Sequence, residues 1–186
     1  MKKLAFILTI LCGLTSGLAI AQSNLIGPKT ATATLNVKLY PIQTILIGTD
    51  KTVNLEYQTK EDYSNGVTSN MTDHLIVYST GGFAVKVKSD DENLVFTKDG
   101  KTDKIDVKTI NLVATLGSGN ESGSKFSAVT LDKSDKNLIS SQVGGTNLKF
   151  NVAYSGQGNN NYVNKYYNVE NPNVYTTTVT YTIEAQ

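Results

Sequence analysis

The sequence contains no arginine and no tryptophan, and its single cysteine, Cys12, lies near the start. Without arginine the chain lacks the planar, bidentate side chain that recognises phosphate and carboxylate groups. The formal net charge is only +1 at pH 7, so there is no electrostatic basis for binding nucleic acid or an anionic membrane surface. We therefore expect no nucleic-acid partner.

The first residues have the pattern of a secretory signal peptide. Lys2 and Lys3 form a basic start, an apolar run extends from residue 4 to residue 18, and Ala19-Ile20-Ala21 matches the small-x-small cleavage pattern. The apolar run is shorter than the ~20 residues that a membrane-spanning helix needs. We predict a signal peptide over residues 1–21 and a single mature domain over residues 22–186, with no membrane span after cleavage.

Export and the loss of Cys12 together limit the chemistry of the mature protein. Because Cys12 lies within the predicted signal peptide, the mature chain has no cysteine and uses neither disulfides nor thiolate metal ligands. We expect a bacterial protein located in the periplasm, at the cell surface or outside the cell.

Apolar residues in the mature chain recur at a spacing of two, which is typical of β-strands. The pattern predicts an all-β fold, an immunoglobulin-like β-sandwich of about seven or eight strands. The predicted strands are Thr30–Leu39, Thr52–Tyr57, His74–Thr80, Phe83–Lys88, Lys104–Leu116 (two strands or one bent strand), Phe126–Leu131, Asn147–Tyr154 and Val174–Glu184.

One connection has a specific turn signal. Thr80-Gly81-Gly82 separates two alternating runs, and glycine permits the positive φ angles of tight hairpin turns. The sequence therefore predicts that His74–Thr80 and Phe83–Lys88 form a hairpin.

Few residues have a pattern that indicates catalysis or metal binding. His74, the single histidine, follows Asp73 at a strand start, where a solvated or hydrogen-bonded role is the default. No Gly-x-Ser-x-Gly motif occurs. The acidic clusters Glu61-Asp62 and Asp90-Asp91-Glu92 lie in hydrophilic turns. The two calcium candidates, residues 89–93 and residues 99–103, are also typical of solvated turns. We predict that the protein is not an enzyme, with no catalytic, metal-binding or cofactor-binding residues and no cofactor.

The most unusual composition lies between Tyr154 and Tyr175, where tyrosines alternate irregularly with asparagines. Tyrosine rings stack on sugars and asparagine amides bind hydroxyls, so Tyr162, Tyr166 and Tyr167 are candidates for contact with a glycan. The same three tyrosines are candidates for contact with a neighbouring subunit. The third interpretation, and the favoured one, is a long loop whose tyrosines cover one end of the sandwich.

The order of these features resembles a known family. The strand TATATLNVKL leads to NVNLEYQT, then to HLIVYSTGGFAVKVKS, then to VTLDKSDKNLISSQVGGTNLKFNVAYS, and finally to VYTTTVTYTIEAQ. This order and spacing are similar to those of the immunoglobulin-like subunits of spore-coat-U and archaic chaperone-usher pili. The final segment also resembles the surface domains named for a Trp-x-Leu motif, although Tyr181-Thr182-Ile183 stands where they have tryptophan.

The resemblance implies an exported, non-enzymatic structural or adhesive protein of the cell surface, such as a pilus or fibre subunit. Its implied partners are copies of itself or other surface subunits. The alternative function, based on the tyrosine-rich segment, is a secreted module that binds glycan or peptidoglycan.

The first predicted strand has two alternative partners. Its alternating residues, Ala31, Ala33, Leu35, Val37 and Leu39, could pack in the protein's own sandwich or serve as an assembly strand lent to a neighbour. The eight residues left before it after cleavage, with Pro28 among them, are too few for a separate donor strand. Thr30–Leu39 thus has one role or the other, and the apolar face of the last strand favours pairing within its own chain.

Overall fold

The computed structural model describes residues 29–119 and 123–186. Two units divide the chain, Met1–Lys38 and Leu39–Gln186, and the second contains every strand described below. The predicted signal peptide lies outside the described residues. None of the helices that the model describes is long and apolar enough to cross a membrane.

Strands dominate the second unit, with one short helix and one 3₁₀ turn. The helix, α1, is Lys60–Asn65, and the 3₁₀ turn is Val107–Thr109. The strands are β1 (Gln43–Ile47), β2 (Val67–Ser79), β3 (Phe83–Ser89), β4 (Asn93–Lys98), β5 (Lys101–Asp106), β6 (Ile110–Leu116), β7 (Ser124–Phe126), β8 (Val129–Thr130), β9 (Lys136–Ser141), β10 (Gly145–Gly156) and β11 (Val179–Ala185).

These strands form two main antiparallel sheets and a separate hairpin. The first sheet has the order β1-β2-β10-β6-β8, the second has the order β11-β3-β9-β7, and β4 pairs with β5. Apolar side chains from both main sheets enter one buried cluster. The protein is therefore an all-β sandwich, as the alternating pattern predicted.

The core follows the period-two pattern of the longest strands. Leu75 and Val77 from β2 meet Val85 and Val87 from β3, and all four are fully buried. Phe150 from β10 is also fully buried, and its ring lies against the ring of Phe83 from β3. Burial of apolar surface of this kind is the main stabilising term in folding.

The predicted hairpin at Thr80-Gly81-Gly82 is wrong. β2 pairs with β1 and β10, whereas β3 pairs with β11 and β9, so this turn passes from one sheet to the other. Both strands are apolar on the face that they turn toward the same core, and opposite sheets let both faces be buried. Neither Gly81 nor Gly82 has a positive φ angle.

Other predicted boundaries change in detail. Lys104–Leu116 is two strands, β5 and β6, separated by the 3₁₀ turn, which was one of the two alternatives. The predicted strand Phe126–Leu131 includes the last residue of β7 and the whole of β8, which lie in different sheets. The sequence did not predict β1, β4, β9 or α1. A capping box between Thr59 and Asp62 begins α1, and this Thr-x-x-Asp spacing was the available signal.

Candidate functional site

The N-terminal segment, residues 30–39, is not a strand in the structure. No sheet pairing is assigned to it, and every one of its residues is exposed. Leu35 is 89% exposed, Val37 78% and Leu39 87%, although such side chains are usually buried. The predicted strand Thr30–Leu39 is therefore not assigned, Ala31 and Ala33 are exposed as well, and pairing within the chain's own sandwich stays a prediction.

Two edge strands lie together on one side of the sandwich. β1 is the outermost strand of the first sheet, β11 is the outermost strand of the second, and the two contact each other. The opposite edges, β7 and β8, have only three and two residues. A long edge strand presents unpaired N–H and C=O groups that can pair with another chain. Among the described residues, β11 is thus the longest edge strand of the two main sheets without a partner on its outer side.

The core is incompletely covered at β11. Ile183 lies beside Val85 of β3, and Tyr181 lies beside Val87. Val85 and Val87 are fully buried, whereas Tyr181, Ile183 and also Val179 are only partly buried, although they pack against the same cluster. Burial therefore falls sharply from β3 to its neighbour, as it does where a sheet lacks one more strand.

The segment after β1, residues 51–58, also has core-facing side chains that are only partly buried. Val53, Leu55 and Tyr57 are half-buried, and Asn54 and Glu56 between them are exposed. No strand is assigned to residues 51–58, although this stretch contains the predicted strand Thr52–Tyr57. Val53 and Leu55 pack against the core cluster. The alternation is that of a strand, but the sheet pairing that would define one is missing.

The tyrosine loop, residues 157–175, buries one of its three candidate tyrosines and partly buries a second. Tyr162 is 8% exposed, donates its hydroxyl to Thr109 Oγ1 at 2.6 Å and meets the ring of Tyr57 edge-on at 4.9 Å. Tyr167 stacks on the buried ring of Phe96 at 6.1 Å. Tyr166 is exposed. The loop thus covers part of the sandwich, and the three tyrosines do not form one open surface.

Asp103 of β5 anchors this loop. Its carboxylate accepts hydrogen bonds from Lys165 Nζ at 2.9 Å, from the Tyr167 hydroxyl at 2.8 Å and from the Tyr175 hydroxyl at 3.0 Å. Partial burial alone would raise the pKa of Asp103, but the donors, led by Lys165, outweigh it and hold that pKa far below its usual range. Asp103 was a candidate calcium ligand, and the structure uses it as a structural carboxylate.

His74 is buried rather than solvated. Its ring is 3% exposed, and Nε2 lies 2.9 Å from the Tyr154 hydroxyl of β10, which in turn hydrogen-bonds to the Tyr181 hydroxyl of β11. Burial lowers the pKa of His74, while the carboxylate of Asp50 opposes that change. The predicted hydrogen-bonded role is confirmed. No pattern in the sequence indicated the tyrosine partners, of which Tyr154 is 80 residues distant.

A bulge explains why His74 turns inward. Phe150 pairs with Leu75 and Val152 pairs with Met71, so three residues of β2, numbers 72–74, oppose the single residue Asn151 of β10. Asp73 has a positive φ of 49°, and its N–H donates to Asn151 Oδ1 at 2.8 Å. Such bulges re-aim side chains. Here the bulge places two successive residues, His74 and Leu75, in the interior.

The remaining acidic candidates serve local structure. Asp62 accepts the N–H groups of Gln58 and Thr59 before α1, and Asp90 accepts the hydroxyl of Thr180 at 2.7 Å. The Asp73 carboxylate accepts the N–H and hydroxyl of Ser118. Within residues 29–119 and 123–186, no group of three His, Cys, Asp or Glu side chains has a metal-binding arrangement.

No protein-family model matches the chain, and no curated protein matches it significantly. The similarity to pilus subunits therefore remains a prediction from the sequence.

Proposed function

We propose that this protein is an exported, non-enzymatic structural subunit that assembles by lending residues 30–39 to a neighbouring copy, whose β11 edge accepts them. The observation that carries the proposal is a complementary pair within one molecule. One stretch has strand alternation and exposed apolar side chains, and one edge strand has core-facing side chains that remain partly uncovered.

The lengths of donor and acceptor agree. β11 has seven residues, and the alternating stretch has ten, from Thr30 to Leu39. A lent strand would gain main-chain hydrogen bonds along β11, and its alternate side chains would supply specificity. Burial of Leu35, Val37 and Leu39 would contribute about 1.5–3 kcal/mol for each side chain. That total is comparable to the entropy cost of association, so the main-chain hydrogen bonds along β11 would be needed as well to hold two subunits together.

The glycan-binding alternative has less support. The rings of Tyr162 and Tyr167, which would have to stack on a sugar, instead contact the rings of Tyr57 and Phe96. Tyr166 is the exposed member of the three. One exposed aromatic ring is a common surface feature and does not form a sugar platform.

The assembly proposal is tested by a charge placed on the apolar side of the N-terminal segment. Val37→Asp should abolish multimers, because the new carboxylate would be buried in the neighbour without a partner. The melting temperature of the monomer should not change, since Val37 is 78% exposed. Light scattering during size-exclusion chromatography, over a range of concentrations, measures assembly, and circular dichroism measures melting.

Asn36→Asp is the matched control, because it adds the same charge one position away, on the polar side of the same stretch. It should leave assembly intact. The proposal is wrong if Val37→Asp multimerises like the original protein, or if Asn36→Asp disrupts assembly to the same extent.

A further inference from the structure

A chain of hydrogen bonds crosses the interior of the sandwich and ends on the proposed acceptor strand. It runs from His74 of β2 to Tyr154 of β10 and on to Tyr181 of β11. β2 and β10 belong to one sheet and β11 to the other. These hydrogen bonds therefore form a polar link between the two sheets, and Tyr181 is the member of the link that lies on the edge strand β11.

Counting the hydroxyl hydrogens shows which group donates in each of these hydrogen bonds. Among the described residues, the Tyr181 hydroxyl has no acceptor other than the Tyr154 oxygen. If Tyr181 donates to Tyr154 and Tyr154 donates to His74 Nε2, both hydroxyl hydrogens have an acceptor. This requires a neutral His74 with its hydrogen on Nδ1. Both hydroxyl hydrogens thus have acceptors only when the ring is neutral.

Protonation of His74 removes the acceptor on which this arrangement of hydrogen bonds depends. An imidazolium donates from both nitrogens, so Nε2 can no longer accept the Tyr154 hydrogen. Either Tyr154 turns toward Tyr181 and leaves the Tyr181 hydrogen without an acceptor, or its own hydrogen has none. In the first case the partly buried Tyr181 hydroxyl loses its acceptor, and in the second the buried Tyr154 hydroxyl loses its own. Either loss destabilises the packing of β11 on the sandwich.

The groups around His74 decide how readily it takes up a proton. Tyr154 faces it from β10 and Tyr181 from β11, with ring centroids at 5.6 Å and 6.2 Å. Asp50, in the loop after β1, is the carboxylate that favours the charged ring. Asp73, the preceding residue, is engaged with Ser118 and Lys149. Burial outweighs Asp50, so the pKa of His74 is below its ordinary value of 6.5.

We propose that His74 is a pH-sensitive switch of the acceptor edge, in which its protonation reverses the Tyr154–Tyr181 hydrogen bonds and loosens β11 as the pH falls. The inference rests on the proposed function, because it concerns the same edge that accepts the lent strand. When β11 is loosened, it is a less ordered pairing partner for the lent strand. Binding of that strand to β11 therefore weakens, and its release becomes faster, as the pH falls.

The first test measures β11 without any bound strand. Hydrogen–deuterium exchange of the full chain carrying Val37→Asp is followed at pH 7.5 and pH 5.5, after correction for the intrinsic effect of pH on exchange. Protection of the β11 amides should fall about tenfold at the lower pH, as expected for the loss of one buried hydrogen bond. Protection of β9 in the same sheet is the internal reference and should change less.

Two variants separate the switch from general acid sensitivity. His74→Gln can still hydrogen-bond to Tyr154 but does not titrate, so the acid-dependent loss of β11 protection should disappear. Asp50→Asn removes the carboxylate that favours the charged ring, so the loss should move to a lower pH. The inference is overturned if protection is the same at both pH values, or if His74→Gln shows the same loss as its parent.

A second measurement keeps the inference distinct from the proposed function. A labelled peptide of residues 30–42, TATATLNVKLYPI, is offered to the full chain, and its release is timed at both pH values. Faster release at pH 5.5 in the original chain, but not in His74→Gln, supports the switch, and equal release rates overturn it. A peptide that never binds contradicts strand lending, and the exchange experiment then still decides on the titration of His74.

Discussion

The N-terminal segment and the tyrosine loop have opposite relations between sequence pattern and structure. Residues 30–39 alternate as a strand should, yet they join no sheet and are fully exposed. Residues 157–175 show no hydrophobic periodicity, yet Tyr162 is buried. The hydroxyls of Tyr167 and Tyr175 donate hydrogen bonds to the Asp103 carboxylate. Alternation of apolar residues thus indicates that a segment is able to pair as a strand. Whether a segment is held in the fold depends on contacts with residues elsewhere in the chain.

Between these two regions, the larger effect on stability is expected at the anchor of the tyrosine loop. Asp103→Ala should lower the free energy of unfolding by about 2–3 kcal/mol, because it removes the acceptor of three side chains and leaves Lys165 without its ion pair. Urea denaturation measures the loss. Asp91→Ala is the control, because Asp91 is exposed and lies just before the β4–β5 hairpin that contains Asp103. It should change stability little. Equal effects of the two variants would show that the loop is not anchored through Asp103.

A smaller effect separates the buried tyrosine from its exposed neighbour. Tyr162→Phe should cost about 1 kcal/mol, because the hydrogen bond to Thr109 is lost while the ring remains packed. Tyr166→Phe should change the unfolding free energy by less than about 0.5 kcal/mol. Thermal and urea unfolding of the two variants give the comparison. A larger loss for Tyr166→Phe would contradict the placement of these residues.

The smallest effect is expected in the N-terminal segment. Leu35→Ala should change the stability of the monomer by less than about 0.5 kcal/mol, because the side chain is 89% exposed. Leu138→Ala, at a fully buried position of β9, removes the same atoms and should cost about 2–5 kcal/mol. If Leu35→Ala were as costly as Leu138→Ala, residues 30–39 would be packed in their own domain and the lending proposal would fail.

Much of the strand content was predictable because it depends on local alternation. The predicted strands His74–Thr80, Phe83–Lys88 and Asn147–Tyr154 lie within or nearly coincide with β2, β3 and β10. β9 was missed because Leu138 and Ile139 are adjacent, both are buried, and together they break the period of two. The turn at Gly81-Gly82 was predicted as a turn, but its two strands belong to different sheets.

The candidate site was less predictable, because its contacts join residues far apart in the sequence. Asp103 and Lys165 are 62 positions apart, and His74 and Tyr154 are 80 apart. A single sequence carries no signal for such pairs. The bulge at Asp73, which aims His74 inward, also depends on the register between β2 and β10 rather than on either strand alone.

The sequence by itself determined the all-β class and the two-residue alternation of the main strands, because backbone pleating places alternate side chains on opposite faces wherever a strand forms. It also determined which side chains were able to form a core. Only the tertiary structure decided which edges pair, which tyrosines are buried and that residues 30–39 remain outside the sheets. The physical reason is that a strand has one face pattern but two hydrogen-bonding edges, and the partner at each edge is chosen by long-range packing.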